Sequence, residues 1–128
     1  MSDVFYHLSH YESFLTSALF LLCVLGISTG QILFKLASPY FPTVLSWSSI
    51  IGFVFNKYLF SALVIYGFAT ILWVYALRLV PLSIAYPFMA LAFIIVPVLG
   101  MIFLNEPFQW RTLVGAGLII SGLLVIVR

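Results

Sequence analysis

Charge is the scarcest property of this chain: its 128 residues include only five Lys and Arg and three Asp and Glu, while 65% are hydrophobic. So little polar surface cannot coat a water-soluble globule, which places the chain in the membrane class and leaves no room for a soluble domain. A net charge of +2 from scattered groups gives no basis for a nucleic-acid partner, which needs Lys and Arg gathered on one face. Cysteine is nearly absent too. Cys23 stands alone in an apolar run, which excludes an intrachain disulfide and reads as a small buried thiol. No Walker motif, nucleophile constellation or metal-ligand cluster occurs, so no bond-making chemistry, ATP site, metal or cofactor is expected, and the chain is not read as an enzyme. Residues 1–12 contain Asp3, His7, His10 and Glu12 but no Lys or Arg, so this stretch lacks the basic start of a signal peptide and is expected to be retained as a polar N-terminal tail. His7 and His10 lie three apart without further ligands, which is poor material for a metal site. The absence with the sharpest consequence is that of any carboxylate between Ser13 and Phe34, the first long apolar run.

What is present is a series of uncharged segments bounded by single charges. Crossing about 30 Å of hydrocarbon takes roughly 20 apolar residues, so a chain of this length allows about four crossings. The expected fold is an all-α membrane protein, one domain over 1–128, with four transmembrane helices at about 14–36, 58–78, 83–104 and 108–127. The first is closed by Lys35, whose stem can snorkel to the headgroups, and carries Gly26 and Gly30 in a GxxxG spacing suited to close helix packing. Between the first two spans, Val44, Trp47, Ile51 and Val54 or Phe55 recur at helical spacing, while Ser46, Ser49 and Asn56 fall on the other side. This pattern predicts an interfacial amphipathic helix near 43–56. The second span runs from Lys57 to Arg78 and is rich in rings, among them Tyr66, Trp73 and Tyr75.

The third span is interrupted by Pro87 and Pro97. Each proline removes a backbone hydrogen bond, so freed carbonyls are expected near residues 83 and 93. In a bilayer such backbone is tolerated only where protein or a wet cavity satisfies it. Both prolines are therefore candidate gating positions on a substrate pathway, with a purely structural kink as the alternative. Asn105, Glu106 and Pro107 read as the start of the fourth helix: a capping Asn, an acid near the positive helix end and a proline in the first turn. On that reading Glu106 is a structural charge, a helix-start acid or a partner for Arg111. The small face of Gly115, Gly117, Ser121 and Gly122 predicts tight packing, in the bundle or against a second subunit. Lys35, Lys57 and Arg111 on one side against Arg78 and Arg128 on the other is too even a split to orient the chain, and it permits an antiparallel dimer.

The segment Gly30, Gln31, Ile32, Leu33, Phe34, Lys35, followed by Ser83, Ile84, Ala85, Tyr86, Pro87, then by Asn105, Glu106, Pro107 and the Gly-rich last helix, resembles the drug/metabolite transporter superfamily in its short four-helix form. Among these the chain looks most like the small subunits that flip aminoarabinose-phosphoundecaprenol, and less like small multidrug resistance exporters. The exporters place an essential glutamate eight residues before a lysine in the first helix, and counting back from Lys35 gives Ile27. An apolar residue there cannot exchange protons or neutralise a cationic drug.

The resemblance implies a transporter of the bacterial inner membrane, working as a flippase for a polyprenyl-phosphate-linked sugar used in cell-envelope modification. It also implies a partner, either a second copy, arranged antiparallel, or a related small subunit, because larger members consist of two inverted halves. Such a substrate keeps its tail in membrane lipid while its anionic head needs cationic and hydrogen-bonding groups. Lys35, Gln31, Tyr86, Arg78, Arg111, Tyr66, Trp73 and Tyr75 are the candidates, with the passage expected near helices one to three. Two alternatives stay open: a small multidrug or metabolite exporter using Glu106, and a non-transporting scaffold subunit of a membrane glycosyltransferase complex.

Overall fold

The computed structural model describes the backbone of residues 2–127 and the side chains of residues 13–125, so His7, His10 and Arg128 lie outside the described side chains. Helix α1 spans Ser2–Ala37, α2 Trp47–Val54, α3 Lys57–Ala76, α4 Leu82–Ala90, α5 Ala92–Leu104 and α6 Trp110–Val127, with one 3₁₀ turn at Ser38–Tyr40 after α1. Three stretches are long and apolar enough to cross a membrane, 13–40, 57–76 and 82–104, and 110–125 is a shorter apolar helix. At 18 residues, α6 rises about 27 Å, close to the thickness of the hydrocarbon layer. The chain is a multi-pass, all-helical membrane protein.

Local chemistry sets most of the boundaries. Helix α1 stops where Ser38 Oγ donates to the Lys35 carbonyl at 2.8 Å and Pro39 enters the following turn. Ser46 caps α2, its Oγ accepting from the Ser49 amide at 3.3 Å. Asn56 caps α3, its Oδ1 accepting from the Tyr58 amide at 3.0 Å. None of α2 is buried, and Trp47 on it is 83% exposed, as an interfacial helix requires. The observed α2 is shorter than the 43–56 expected, because Pro42 and the extended Ser46 keep the chain non-helical until Trp47.

Helix α1 runs continuously from Ser2. The third span, 82–104, is interrupted as its prolines predict: α4 and α5 meet at Leu91, four residues after Pro87, while Pro97 is accommodated inside α5. The start of the fourth helix is corrected. Asn105 does not start the fourth helix. It ends α5, with φ 52° and ψ 33°, the left-handed conformation that Asn tolerates better than other non-glycine residues, and α6 begins only at Trp110. Identity alone could not separate the two readings, because Asn is favoured both at a helix start and in a left-handed stop.

Helix α1 is the central element, packing against α3, α4 and α5, while α6 packs against α4 and α5. On α3, Ala62, Ala69 and Ala76 are buried and recur every seven residues, a seam of small side chains facing α1. Gly26 and Gly30 approach it from the other side: a Cβ on Gly26 would lie 3.1 Å from Ala69 Cβ, and one on Gly30 2.9 Å from Tyr66 Cδ2. Nearer the N-terminus of α1, fully buried Phe20 stacks on Phe88 of α4 with centroids 5.2 Å apart and meets Trp73 of α3 edge-on at 5.3 Å. Such ring pairs contribute about 0.5–1.5 kcal/mol each beyond the area they bury. This cluster, completed by Ala76 and Ala85, ties α1, α3 and α4 together at one end of the bundle.

Gly115, Gly117 and Gly122 have nothing within 4 Å of the position a Cβ would take. The hydroxyl of Ser121 donates to the Gly117 carbonyl at 2.7 Å. Among the described residues, therefore, nothing packs against these three glycines of α6.

Candidate functional site

At the end of the bundle opposite the Phe20 cluster, the last turns of α1, the end of α5 and the start of α6 enclose a cavity of about 530 Å³. Ile27, Gln31 and Lys35 follow one another at four-residue intervals and so share one face of α1. Gln31 and Lys35 line this cavity. A second cavity, of about 370 Å³, continues towards the middle of the bundle, shares Gln31, Val96, Pro97 and Thr112 with the first, and reaches Ile27 and Ala116. The face thus runs from an ammonium at the mouth, through an amide, to an aliphatic wall. Ile27, where the multidrug exporters are expected to carry their acid, is part of that wall and only 8% exposed.

Opposite Lys35 stands Glu106. The left-handed turn at Asn105 reverses the chain after α5, and the Glu106 amide donates to the Gly100 carbonyl at 3.4 Å. Its carboxylate then reaches across the mouth, Oε1 4.0 Å from Lys35 Nζ, with the two side chains 49% and 62% exposed. An ion pair this open contributes about 0–1 kcal/mol and parts at little cost. The second oxygen, Oε2, lies 3.0 Å from where a Cβ on Gly100 would stand, so the buried Gly100 leaves the space in which the carboxylate sits. Gln109 and Thr112 add polar groups to the same mouth. With one cation and one anion, the mouth is polar yet formally neutral. It is suited to hold a charged, hydrogen-bonding head while the apolar extension accepts hydrocarbon.

The candidates read from sequence are divided by the fold. Gln31, Lys35 and Pro97 line the cavity together, and Glu106, read as a structural charge, joins them; its partner is Lys35 rather than Arg111. Tyr66 packs over Gly30 and against Phe34, ring centroids 5.6 Å apart, and Trp73 is part of the Phe20 cluster. Tyr75, Arg78 and Tyr86 are exposed on the end of α3 and on α4, with Pro87 in α4, all remote from this cavity. Arg111 is exposed at the start of α6 and does not line it. The cavity therefore involves the first, third and fourth spans rather than the first three. Gly100, Gln109 and Thr112 were missed; the usable signal was an Asn-Glu-Pro directly after a long apolar run, where a left-handed stop folds the acid back over the helix it ends.

Comparison with known proteins agrees with the membrane architecture. The chain is similar to a protein of Erwinia tasmaniensis named "Probable 4-amino-4-deoxy-L-arabinose-phosphoundecaprenol flippase subunit ArnF", with 38% identity over 110 residues covering 80% of this chain and 87% of that one. It is similar also to proteins named as the corresponding subunit ArnE from Aeromonas salmonicida, with 34% identity over 84% of this chain and 92% of the relative, and from Proteus mirabilis, with 31% identity over 84% and 95%. No solved structure matches the chain. The model of the EamA-like transporter family matches residues 10–128, nearly the whole chain, in keeping with a cavity flanked by membrane-spanning helices: the chain belongs to the EamA-like transporter family.

Proposed function

We propose that this protein is one subunit of a flippase that moves a polyprenyl-phosphate-linked sugar across the bacterial inner membrane. The observation that carries the reading is the graded face Lys35, Gln31, Ile27 along the two joined cavities. An anionic phosphate finds an ammonium and an amide at the mouth, whereas the inner wall offers hydrocarbon to the lipid side of an amphiphile. The relatives' names support both the substrate class and the word subunit. The partner is a related small subunit, and the α6 face around Gly117, open within the protomer, is the surface offered to it. With no acid along the α1 wall of the cavity, flux follows the gradient of the lipid-linked sugar, sustained by its consumption on the far side.

The test is translocation of a labelled polyprenyl phosphosugar in proteoliposomes containing the full chain with its co-expressed partner. Transport that falls at least about tenfold in Lys35→Ala, the scale set by losing a charge-assisted hydrogen bond, and that proceeds without proton counterflow is the expected result. Transport insensitive to Lys35, or protection of growing cells against quaternary ammonium compounds that is abolished by Glu106→Gln, would overturn it in favour of an exporter.

A further inference from the structure

We infer that Glu106 is the specificity-determining residue for the headgroup: the relatives' names give their lipid-linked sugar an amine, and the Lys35–Glu106 pair parts so that Lys35 binds the phosphate and the Glu106 carboxylate binds that amine. The inference rests on the flippase reading and deepens it.

Four observations carry it. First, the cavity mouth contains a carboxylate that an anionic head alone would not want. A phosphate drawn to Lys35 comes within a few ångströms of the Glu106 carboxylate, because the two side chains are only 4.0 Å apart, and like charges at that separation disfavour binding. Relief comes if the same ligand brings a cation of its own. Second, the pair is too exposed to serve as a structural latch, with 62% and 49% of its side chains accessible, so it is free to exchange partners. Third, Glu106 is held in place by more than Lys35. The Asn105 turn and the Glu106 amide's bond to the Gly100 carbonyl keep its backbone at the mouth after Lys35 has moved to the phosphate, and the absence of a side chain on Gly100 leaves room for the carboxylate there. Fourth, Gln31 and Gln109 flank the mouth and supply neutral donors and acceptors for the hydroxyls of a sugar ring. A head with phosphate but no amine would leave Glu106 facing phosphate without compensation. Discrimination by an unpaired charged group is stronger than discrimination by shape alone.

Gly100 is then a positioning residue. Its missing side chain is occupied by the carboxylate, and an added methyl group at 3.0 Å from Oε2 would displace the end of a flexible side chain with little effect on the fold.

The experiment compares two probes in proteoliposomes of the full chain with its co-expressed partner: a polyprenyl phosphate bearing an amino-pentose, and the same lipid with its amine N-acetylated. The amine form is expected to be carried roughly tenfold faster at limiting substrate, the scale of one charge-assisted hydrogen bond. Glu106→Gln should erase that preference by slowing the amine form and by relieving the repulsion that slows the acetylated one. Glu106→Asp should keep part of it, and Gly100→Ala should weaken it without lowering the melting temperature. Equal transport of both probes by the wild type, or a Glu106→Gln variant that keeps the preference or loses both activities equally, overturns the inference while leaving the flippase reading standing. Transport of neither probe overturns both.

Discussion

Replacing Gly30 by alanine tests the packing that sets α1 in its place. The new Cβ would stand 2.9 Å from Tyr66 Cδ2, against a comfortable carbon–carbon separation of about 3.5–4.0 Å. Tyr66 cannot simply swing away, because Phe34 packs against its ring with centroids 5.6 Å apart. Overpacking of this kind costs about 1–3 kcal/mol, and the better helix preference of alanine returns about 1 kcal/mol. The net expectation is a loss of about 1 kcal/mol. Gly117→Ala is the control, since it meets nothing within 4 Å and keeps only the gain. The two substitutions should therefore differ by about 2 kcal/mol and lie on opposite sides of the wild type. Unfolding of the purified protomer in mixed detergent micelles, followed by far-UV circular dichroism, reads this difference. Adding Tyr66→Ala to Gly30→Ala should show a coupling of at least about 0.5 kcal/mol, since the smaller side chain restores the space. A Gly30→Ala protomer as stable as Gly117→Ala, or simple additivity with Tyr66→Ala, would refute the reasoning.

The same unfolding assay checks three further expectations. Phe20→Ala removes a fully buried ring in contact with Phe88 and Trp73, and should cost about 3 kcal/mol; a loss under about 1 kcal/mol would mean that the ring cluster is not a principal tie between α1, α3 and α4. Asn105→Val forces a β-branched residue into a φ of 52° and should cost about 1–2 kcal/mol, whereas Asn105→Gly should be close to neutral. Ser28 Oγ is buried and, among the described residues, has no hydrogen-bond partner, so Ser28→Ala should leave stability unchanged or raise it by up to about 1 kcal/mol, and a clear loss would refute the reading of that hydroxyl as unpaired.

Much of the fold was legible in the sequence because lipid imposes so few solutions on a chain. Lys35, Lys57 and Arg78 mark the ends of uncharged runs, and in a bilayer a charge has nowhere else to go. The GxxxG of α1 was equally readable, since close approach needs the missing side chains whichever helix is the neighbour. What could not be read was the neighbour itself. Gln31 and Lys35 share a cavity with Pro97 and Glu106, far along the chain, only because α5 returns beside α1. Tyr75 and Tyr86 carry suitable hydroxyls, yet helix direction puts them near the other end. The rings of Tyr66 and Trp73 are as able to pack as to bind, and within the protomer they pack, against Gly30 and Phe20. Glu106 was misplaced at a helix start because the direction in which the chain leaves α5 depends on the sign of one backbone angle, at Asn105.

The Phe20 cluster and the Lys35–Glu106 mouth sit towards opposite ends of the bundle, and their contrast gives it a gradient of stiffness. At one end three helices are joined by interlocking rings; at the other α1, α5 and the start of α6 flank open volume bridged by a loose pair of charges. The protomer is built like a pair of tweezers, clamped at the aromatic end and free at the tips. Backbone amides around Gly100 to Thr112 should exchange with solvent deuterium sooner than those around Phe20 and Ala85. Sequence change can accumulate at the tips, altering what is grasped, without loosening the joint that makes grasping possible.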